Sequence, residues 1–341
     1  MKKIRVGING LGRIGRAFLK VSLENKELEV VAVNDLGDAE NMAYLLNFDS
    51  VYGRSGLEAR GATGVLTVKG QEIKYLSEKD PAKLPWGDLN VDVVVESTGF
   101  FASYEKAKLH IAAGAKRVVI TAPVKDEDPQ GATVLVGINE EKLQTCVVSS
   151  NASCTTNASS PVIAILDEAI GIEKAILNTV HAYTATQALV DAPAGKKGLR
   201  EGRAAAVNII PSSTGAGIAM TKAYTKLTGL FEGISLRVPV TCGSIADITF
   251  IAKRDTTIEE VNEILRGAAA APRWSGIFAV SEVGEDLVST DIVGRAEGAI
   301  ADLSMTRVVG GNLVKVLAWY DNEMGYTHTL VRHVIEAGKL V

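Results

Sequence analysis

One cysteine set in a run of hydroxyls, Ser150-Asn151-Ala152-Ser153-Cys154-Thr155-Thr156-Asn157, is the stretch of this 341-residue chain best suited to chemistry. Residues 145–149 read as a short buried strand and 158–166 as an apolar helix, which puts Cys154 at a strand-to-helix turn. A thiol there meets the positive end of the helix dipole, which favours thiolate and lowers its pKa. Hydroxyls and unpaired N–H groups beside it suit an anion or an oxyanion. Taken alone, a cysteine reads equally well as a small buried residue. The flanking polar run is what points to a nucleophile. Its expected partner is His181, delivered at the far end of the strand-like residues 176–180, because an activated thiol needs a base adjacent in space. Of the chain's 4 histidines, His328 and His333 fall in a C-terminal helical stretch and His110 in another, and these three read as surface or cap residues.

The elements that must hold a second reactant lie at the other end of the chain. Residues 4–9 form an apolar strand that runs into Gly10-Leu11-Gly12-Arg13-Ile14-Gly15, and helical spacing follows. This is the dinucleotide fingerprint in its strand–turn–helix setting. Gly10 permits the tight turn, Gly12 the approach of a pyrophosphate and Gly15 close helix packing. The next strand, 28–33, ends in Asn34-Asp35, and an acid about twenty positions after the fingerprint grips a ribose diol. A carboxylate also repels a 2′-phosphate, so NAD is expected over NADP. Strands at 91–96 and 117–120, separated by a helix over 104–113, continue the alternation and imply a parallel sheet with ligands at its carboxyl ends. Ser97, Thr98 and Thr121 sit at such ends and join the cofactor-pocket candidates.

Composition narrows the class. Lys and Arg number 36 against 40 Asp and Glu, which leaves no electrostatic footprint for nucleic acid. No apolar run approaches the length of a membrane span, and the start lacks a signal-peptide pattern, so no membrane partner is expected. Cys146, Cys154 and Cys242 show neither metal spacing nor a disulfide framework, which fits a reducing cytoplasm and no metal.

The second half changes character. Residues 185–203 form a long irregular segment carrying Lys196, Lys197, Arg200 and Arg203, and such segments inside compact domains are usually functional. Residues 231–240 and 244–252 read as paired strands, 258–271 as a helix and 313–319 as a further strand. The expected fold is therefore an α/β Rossmann dinucleotide-binding domain over 1–150, then an α+β catalytic domain with an antiparallel or mixed sheet over 151–321. A C-terminal helix, 322–341, is expected to return to the first domain.

With Cys154, His181 and the fingerprint side by side, the chain resembles the phosphorylating glyceraldehyde-3-phosphate dehydrogenases. The likeness runs from Gly7-Ile8-Asn9-Gly10 through Ser150 to Asn157, Arg203-Ala204-Ala205-Ala206-Val207-Asn208, Ser213-Thr214-Gly215-Ala216 and Arg237-Val238-Pro239 to Trp319-Tyr320-Asp321-Asn322-Glu323. The resemblance implies that Arg13, Ile14, Asp35, Thr121 and Asn322 contact NAD, Asn322 orienting the nicotinamide amide, with Lys79 on the adenine side. It implies a site for inorganic phosphate at Ser153, Thr155, Thr214 and Gly215. It implies a second site, for the phosphate of glyceraldehyde 3-phosphate, at Thr184 and Arg237, with Arg200 near both. It also implies a cytoplasmic homotetramer in which 185–203 packs at a subunit boundary.

Three features depart from the family pattern. Ala158 stands where many members carry a second cysteine, Met324 replaces a usual tryptophan, and Ala192-Pro193 fills a loop position that tunes NAD against NADP in some relatives. Two rival readings are an erythrose-4-phosphate dehydrogenase, against which Asp35 argues because those relatives usually carry glutamate there, and a non-catalytic NAD-binding protein. An intact Cys154 and His181 oppose the second.

Overall fold

The computed structural model describes residues 2–194 and 198–341. Lys196 and Lys197, counted above among the loop cations, lie outside the described residues. By its internal contacts the chain divides into two units, Met1–Ala152 with Leu330–Val341, and Ser153–Thr329.

The first unit is built on strand–helix alternation. Its elements are β1 (Ile4–Asn9), α1 (Arg13–Ser22), β2 (Leu28–Asn34), α2 (Ala39–Asn47), a small hairpin of β3 (Phe48–Asp49) and β4 (Gly53–Arg54), then β5 (Arg60–Ala62), β6 (Val65–Val68), β7 (Gln71–Leu76), β8 (Val93–Glu96), α3 (Tyr104–Ala112), β9 (Arg117–Ile120), β10 (Gly131–Thr133) and β11 (Val148–Ser150). One sheet runs β10-β11-β9-β8-β1-β2-β7-β6-β5, parallel from β10 to β7 and antiparallel over β5–β7. Its central strands are apolar without alternation because both faces are covered, and Val93, Val94 and Val95 are all fully buried. The chain leaves β1 toward β2 on one side and later returns to β8 on the other, so a crevice opens at the carboxyl ends of β1 and β8. Gly10 takes φ +95°, and a Cβ on Gly15 would lie 2.0 Å from the Gly10 carbonyl oxygen, so no side chain fits there.

A buried polar chain floors that crevice. The Trp86 indole Nε1–H donates to His110 Nδ1 at 3.0 Å, which leaves the imidazole proton on Nε2, 3.0 Å from Glu96 Oε2. Asn9 donates to the same Glu96 oxygen at 2.6 Å, and Asn34 donates to Asn9 Oδ1 at 2.7 Å. Glu96 Oε1 accepts from Thr98 N–H at 2.9 Å. His110 is thus a fully buried network member, contrary to the surface or cap role expected of it.

The second unit holds α4 (Cys154–Ile170), β12 (Ile172–Ala182), β13 (Ile210–Ser213), α5 (Ala216–Ala223), β14 (Phe231–Val238), β15 (Ser244–Ala252), α6 (Ile258–Ala269), β16 (Phe278–Ser281), α7 (Ser289–Ile292), β17 (Ala299–Val309) and β18 (Leu313–Tyr320). Its mixed sheet runs β13-β14-β12-β15-β18-β17-β16. The expected pairing of β14 with β15 is wrong: β12 lies between them, parallel to β14 and antiparallel to β15. Adjacency in sequence suggested a hairpin, but β12 is longer and offers partners on both edges. The closing helix α8 (Met324–Gly338) begins in the second unit and ends in the first. There His333 is fully buried, within hydrogen-bond reach of Ser149 Oγ at 2.8 Å and Asn151 Oδ1 at 3.1 Å, so it too is no surface residue. Among the described residues no helix is long and apolar enough to cross a membrane, and no cluster of three metal-ligating side chains occurs.

Candidate active site

The chain reaches Cys154 through an uncommon backbone step. Strand β11 spans only Val148–Ser150, shorter than the expected 145–149 segment and shifted along it, and Ala152 then takes φ +54°. A left-handed alanine costs about 1–2 kcal/mol, which the surrounding fold must offset. Ser153 follows as the N-cap of α4, its hydroxyl accepting from Thr156 N–H at 3.1 Å, so Cys154 is the first residue of a 17-residue helix. The helix therefore begins four residues before its apolar core suggested. Its first-turn N–H groups, that of Cys154 included, have no acceptor within the helix.

Strand β12 brings His181 to the thiol: Cys154 Sγ lies 3.3 Å from His181 Nε2. The parallel neighbour β14 places Arg237 in register with His181. Arg237 Nη1 lies 2.7 Å from His181 Nδ1, which is also 2.6 Å from the Ala182 carbonyl oxygen. Those two neighbours select opposite tautomers. A guanidinium only donates and so favours a bare Nδ1, whereas the carbonyl only accepts and favours Nδ1–H, leaving Nε2 free to take a proton. The Arg237 Nε is buried with no hydrogen-bond partner among the described residues.

Electrostatics correct one expectation. Burial pushes the Cys154 thiol up, with the Arg237 charge and the N–H of Thr155 opposing it, so the helix end does not lower the thiol below its ordinary value. Burial, then Arg237, holds His181 down at about 3. The resting pair is therefore a neutral thiol facing a neutral imidazole.

Tyr320, which the sequence reading did not select, ties the two elements together. Its hydroxyl meets Thr155 at 2.9 Å and Thr179 at 2.7 Å, joining the start of α4 to β12, and its ring stands edge-on to His181 with centroids 5.9 Å apart. Thr155, expected at a phosphate, is thus buried with its hydroxyl bound to tyrosine. Ser153 is occupied as the cap. Thr184 follows β12, its N–H donating to Gln187 Oε1 at 2.7 Å. Thr214 and Gly215 stand at the N-terminus of α5, where a Cβ on Gly215 would meet open space. Arg200 is exposed on the turn Leu199–Gly202, and no hydrogen bond among the described residues joins it to these groups. Asn322 is buried, with Oδ1 accepting from Ser244.

In the first unit a cavity of about 420 Å³ opens at the crevice, lined by Gly10, Gly12, Asp35, Lys79, Ser97 and Thr98 as expected, and also by Asn9, Asn34, Glu78, Phe100 and Phe101. The residues fit a dinucleotide. Helix α1 begins there with Gly12 as N-cap, which supplies no side-chain cap, and a Cβ on Gly12 would have nothing within 4 Å. Backbone N–H groups at that end are open to phosphate. Each Asp35 oxygen already takes one N–H, from Leu11 at 2.6 Å and from Gly37 at 2.8 Å, which leaves a lone pair on each for a diol. The side chains of Arg13 and Ile14 do not line the cavity; Arg13 instead pairs with Asp49 at 2.7 Å, so only its backbone remains suited to a phosphate. Thr121 follows β9, its N–H donating to the Glu96 carbonyl at 3.0 Å, outside the lining.

Residues 4–104 match the family described as glyceraldehyde 3-phosphate dehydrogenase, NAD binding domain, and residues 153–322 match the C-terminal domain of the same family. Full-length relatives agree. The chain is 46% identical over 338 residues to glyceraldehyde-3-phosphate dehydrogenase 2 of Streptomyces avermitilis, covering 98% of each. It is 45% identical over 332 residues to that of Clostridium pasteurianum and 45% over 330 to that of Geobacillus stearothermophilus, each time covering 96% of both chains. The chain belongs to the glyceraldehyde-3-phosphate dehydrogenase family.

Within that family the first match takes in the whole lining of the cavity, and the second begins at Ser153 and holds Cys154, His181, Arg237 and Asn322. The glyceraldehyde-3-phosphate dehydrogenase reading of the sequence missed Tyr320, Thr179 and Ser244. Tyr320 lies inside the Trp319–Glu323 motif, but an aromatic residue on a strand reads as core. Asn9 and Asn34 left a signal, since each ends a strand beside the fingerprint or its acid.

Proposed function

We propose that the protein oxidises glyceraldehyde 3-phosphate with NAD and phosphorylates the product to 1,3-bisphosphoglycerate. The observation that carries this reading is the Cys154–His181 contact of 3.3 Å at the N-terminus of α4, with Arg237 in register on the next strand. Cys154 is the nucleophile. As Sγ bonds to the aldehyde carbon, its proton passes to His181 Nε2 and on to the aldehyde oxygen, giving a thiohemiacetal. His181 then takes back that hydroxyl proton as the carbonyl re-forms and hydride leaves the carbon, which yields a Cys154 thioester. NAD, when bound, supplies the hydride acceptor. The backbone N–H of Cys154 stabilises the oxyanion. An oxygen of inorganic phosphate finally attacks the thioester carbon, the C–S bond breaks, and the thiolate regains its proton from His181. The proton of the incoming phosphate is released to solvent.

Arg237 and Thr184, with Arg200, hold the phosphate of the substrate, because a dianion needs a guanidinium fork and hydroxyls. Thr214 and Gly215 at the start of α5 form the site for inorganic phosphate together with Ser153 and Thr155, whose hydroxyls also serve the α4 cap and Tyr320. The first-turn backbone of Arg13 and Ile14, with Lys79 and Thr121, serves NAD, and Asn322 orients the nicotinamide amide. The test is NADH formation from glyceraldehyde 3-phosphate, phosphate and NAD, repeated with erythrose 4-phosphate and with NADP. The first combination is expected to give the highest kcat/KM, and a higher value with the four-carbon aldehyde would overturn the substrate assignment.

Asp35 sets the cofactor preference. Asp35→Ala is expected to weaken NAD use and to raise NADP relative to NAD by about tenfold, since one charge-assisted hydrogen bond is worth about 1.5–3 kcal/mol and a repulsion disappears with it. An unmoved ratio of the two kcat/KM values would assign the preference to the Ala192-Pro193 loop instead.

The protein acts in the cytoplasm as a homotetramer with two-fold interfaces. Support comes from Leu189, Val190 and Leu199, which are 82%, 69% and 87% exposed and need a cover. Light scattering at micromolar concentration is expected to give about four times 36.0 kDa, and a single-chain mass would refute the assembly.

A further inference from the structure

Ser244, the first residue of β15, is almost fully buried, and its hydroxyl stands between two groups of unlike chemistry. The N–H of Ala182 donates to Ser244 Oγ at 3.1 Å, and Oγ lies 2.9 Å from Asn322 Oδ1. A backbone N–H can only donate, so Oγ accepts there and spends its one hydrogen on the Asn322 amide oxygen. That settles which end of the asparagine amide is which. Oδ1 turns to the serine, and the NH₂ group is left with no acceptor among the described residues.

The backbone around Asn322 is held as firmly. Asp321, fully buried, accepts from Glu323 N–H and Met324 N–H at 2.8 Å each and from Gly294 N–H at 2.7 Å, and the Cys242 thiol donates to it at 3.1 Å. Little in this segment can turn except the amide itself, and Ser244 fixes that.

We propose that Ser244 is a positioning residue that locks the flip of Asn322 so that the site presents a donor to the carboxamide oxygen of the nicotinamide. The proposal rests on the reading in which Asn322 orients that amide. The same Oγ also holds Ala182, the residue after the base His181, so one hydroxyl sets both the strand end that carries the base and the amide that steadies the ring to be reduced. Without the serine hydrogen, either end of Asn322 can face the ligand, and the selection for an oxygen acceptor weakens.

The experiment is calorimetric binding of NAD, of its thionicotinamide analogue and of ADP-ribose to the full chain and to Ser244→Ala. The sulfur of the thioamide is a poor acceptor, so the native protein is expected to prefer NAD over the analogue. In Ser244→Ala that preference is expected to fall by about fivefold to tenfold, the worth of one ordinary hydrogen bond, while ADP-ribose, which lacks the nicotinamide, binds as before. Ser244→Cys keeps the shape with a weaker donor and is expected to lose preference in the same direction by less, which covers the case of an Ala variant that does not fold. An unchanged preference in both variants overturns the role of Ser244 and leaves the proposed function standing. Equal weakening of all three ligands overturns it too, as the mark of a general structural effect. A native protein that binds ADP-ribose but shows no preference between NAD and its analogue overturns the reading of Asn322 itself.

Discussion

Cys154→Ala is expected to lower NADH formation by at least about 10⁴-fold while NAD binds as tightly as before. Removing the nucleophile of a covalent mechanism removes the pathway, and losses of about 10⁴–10⁶ are typical when members of such a unit are deleted. The substitution trades a thiol for a methyl at the first turn of α4 and touches neither the Ser153 cap nor the Tyr320 bridge, so the helix should form as before. The cavity that fits the dinucleotide is lined wholly by other residues. Rate and binding should therefore separate cleanly. Initial rates with glyceraldehyde 3-phosphate, set beside calorimetric titration with NAD, decide it. A variant retaining more than about a hundredth of the native rate would remove Cys154 from the chemistry, because no partial contribution of a nucleophile is that small.

Thermal stability is expected to fall steeply as the pH is lowered from 7 to 5, and two histidines are the cause. His181 and His333 are buried and held down at about 3, against an ordinary value of 6.5. Between those limits the unfolded chain takes up protons that the folded chain refuses. Stability from these residues is complete above about pH 6.5 and is lost as pH falls toward 3. Well inside that window each histidine contributes about 1.4 kcal/mol per pH unit, so the pair contributes about twice that. Most carboxylates titrate lower, which leaves the range from 6.5 to 5 to the histidines. Calorimetric melting at pH 7, 6 and 5 gives the slope. His333→Gln, which keeps hydrogen-bonding capacity toward Ser149 and Asn151 without a titrating ring, should remove about half of it. A melting temperature that stays level from pH 7 to 5 would show that neither ring resists protonation in the fold.

The pair Cys154 and His181 could be read from the chain because each sits where a local pattern changes, strand to helix or strand to loop. The first unit was legible for the same reason: β1, the fingerprint and α1 are contiguous, and apolar runs between helices leave little choice but a parallel sheet. What stayed hidden depends on partners remote in sequence. Nothing near 231–252 indicates that β12 separates β14 from β15. His110 and His333 look like helix-surface residues until Glu96, Trp86, Ser149 and Asn151 arrive from other elements. The Cys154 thiol was expected low from the helix end alone, whereas the fold adds a burial that outweighs it. Ser244 lay outside every motif, and its role is visible only through Ala182 and Asn322.

The buried chain of Trp86, His110, Glu96, Asn9 and Asn34 beneath the crevice bears on how this sequence can change over generations. Each member spends hydrogen-bonding capacity on the next, so one replacement at Trp86, His110 or Glu96 strands a buried neighbour. An orphaned buried group costs about 1–3 kcal/mol, a large share of what a domain has in hand. A single replacement in that chain therefore draws on the stability reserve of the whole unit, and a compensating change at its hydrogen-bond partner is what restores it. At the open rim of the crevice Lys79 and Phe100 stand in solvent, and a replacement there strands no buried partner.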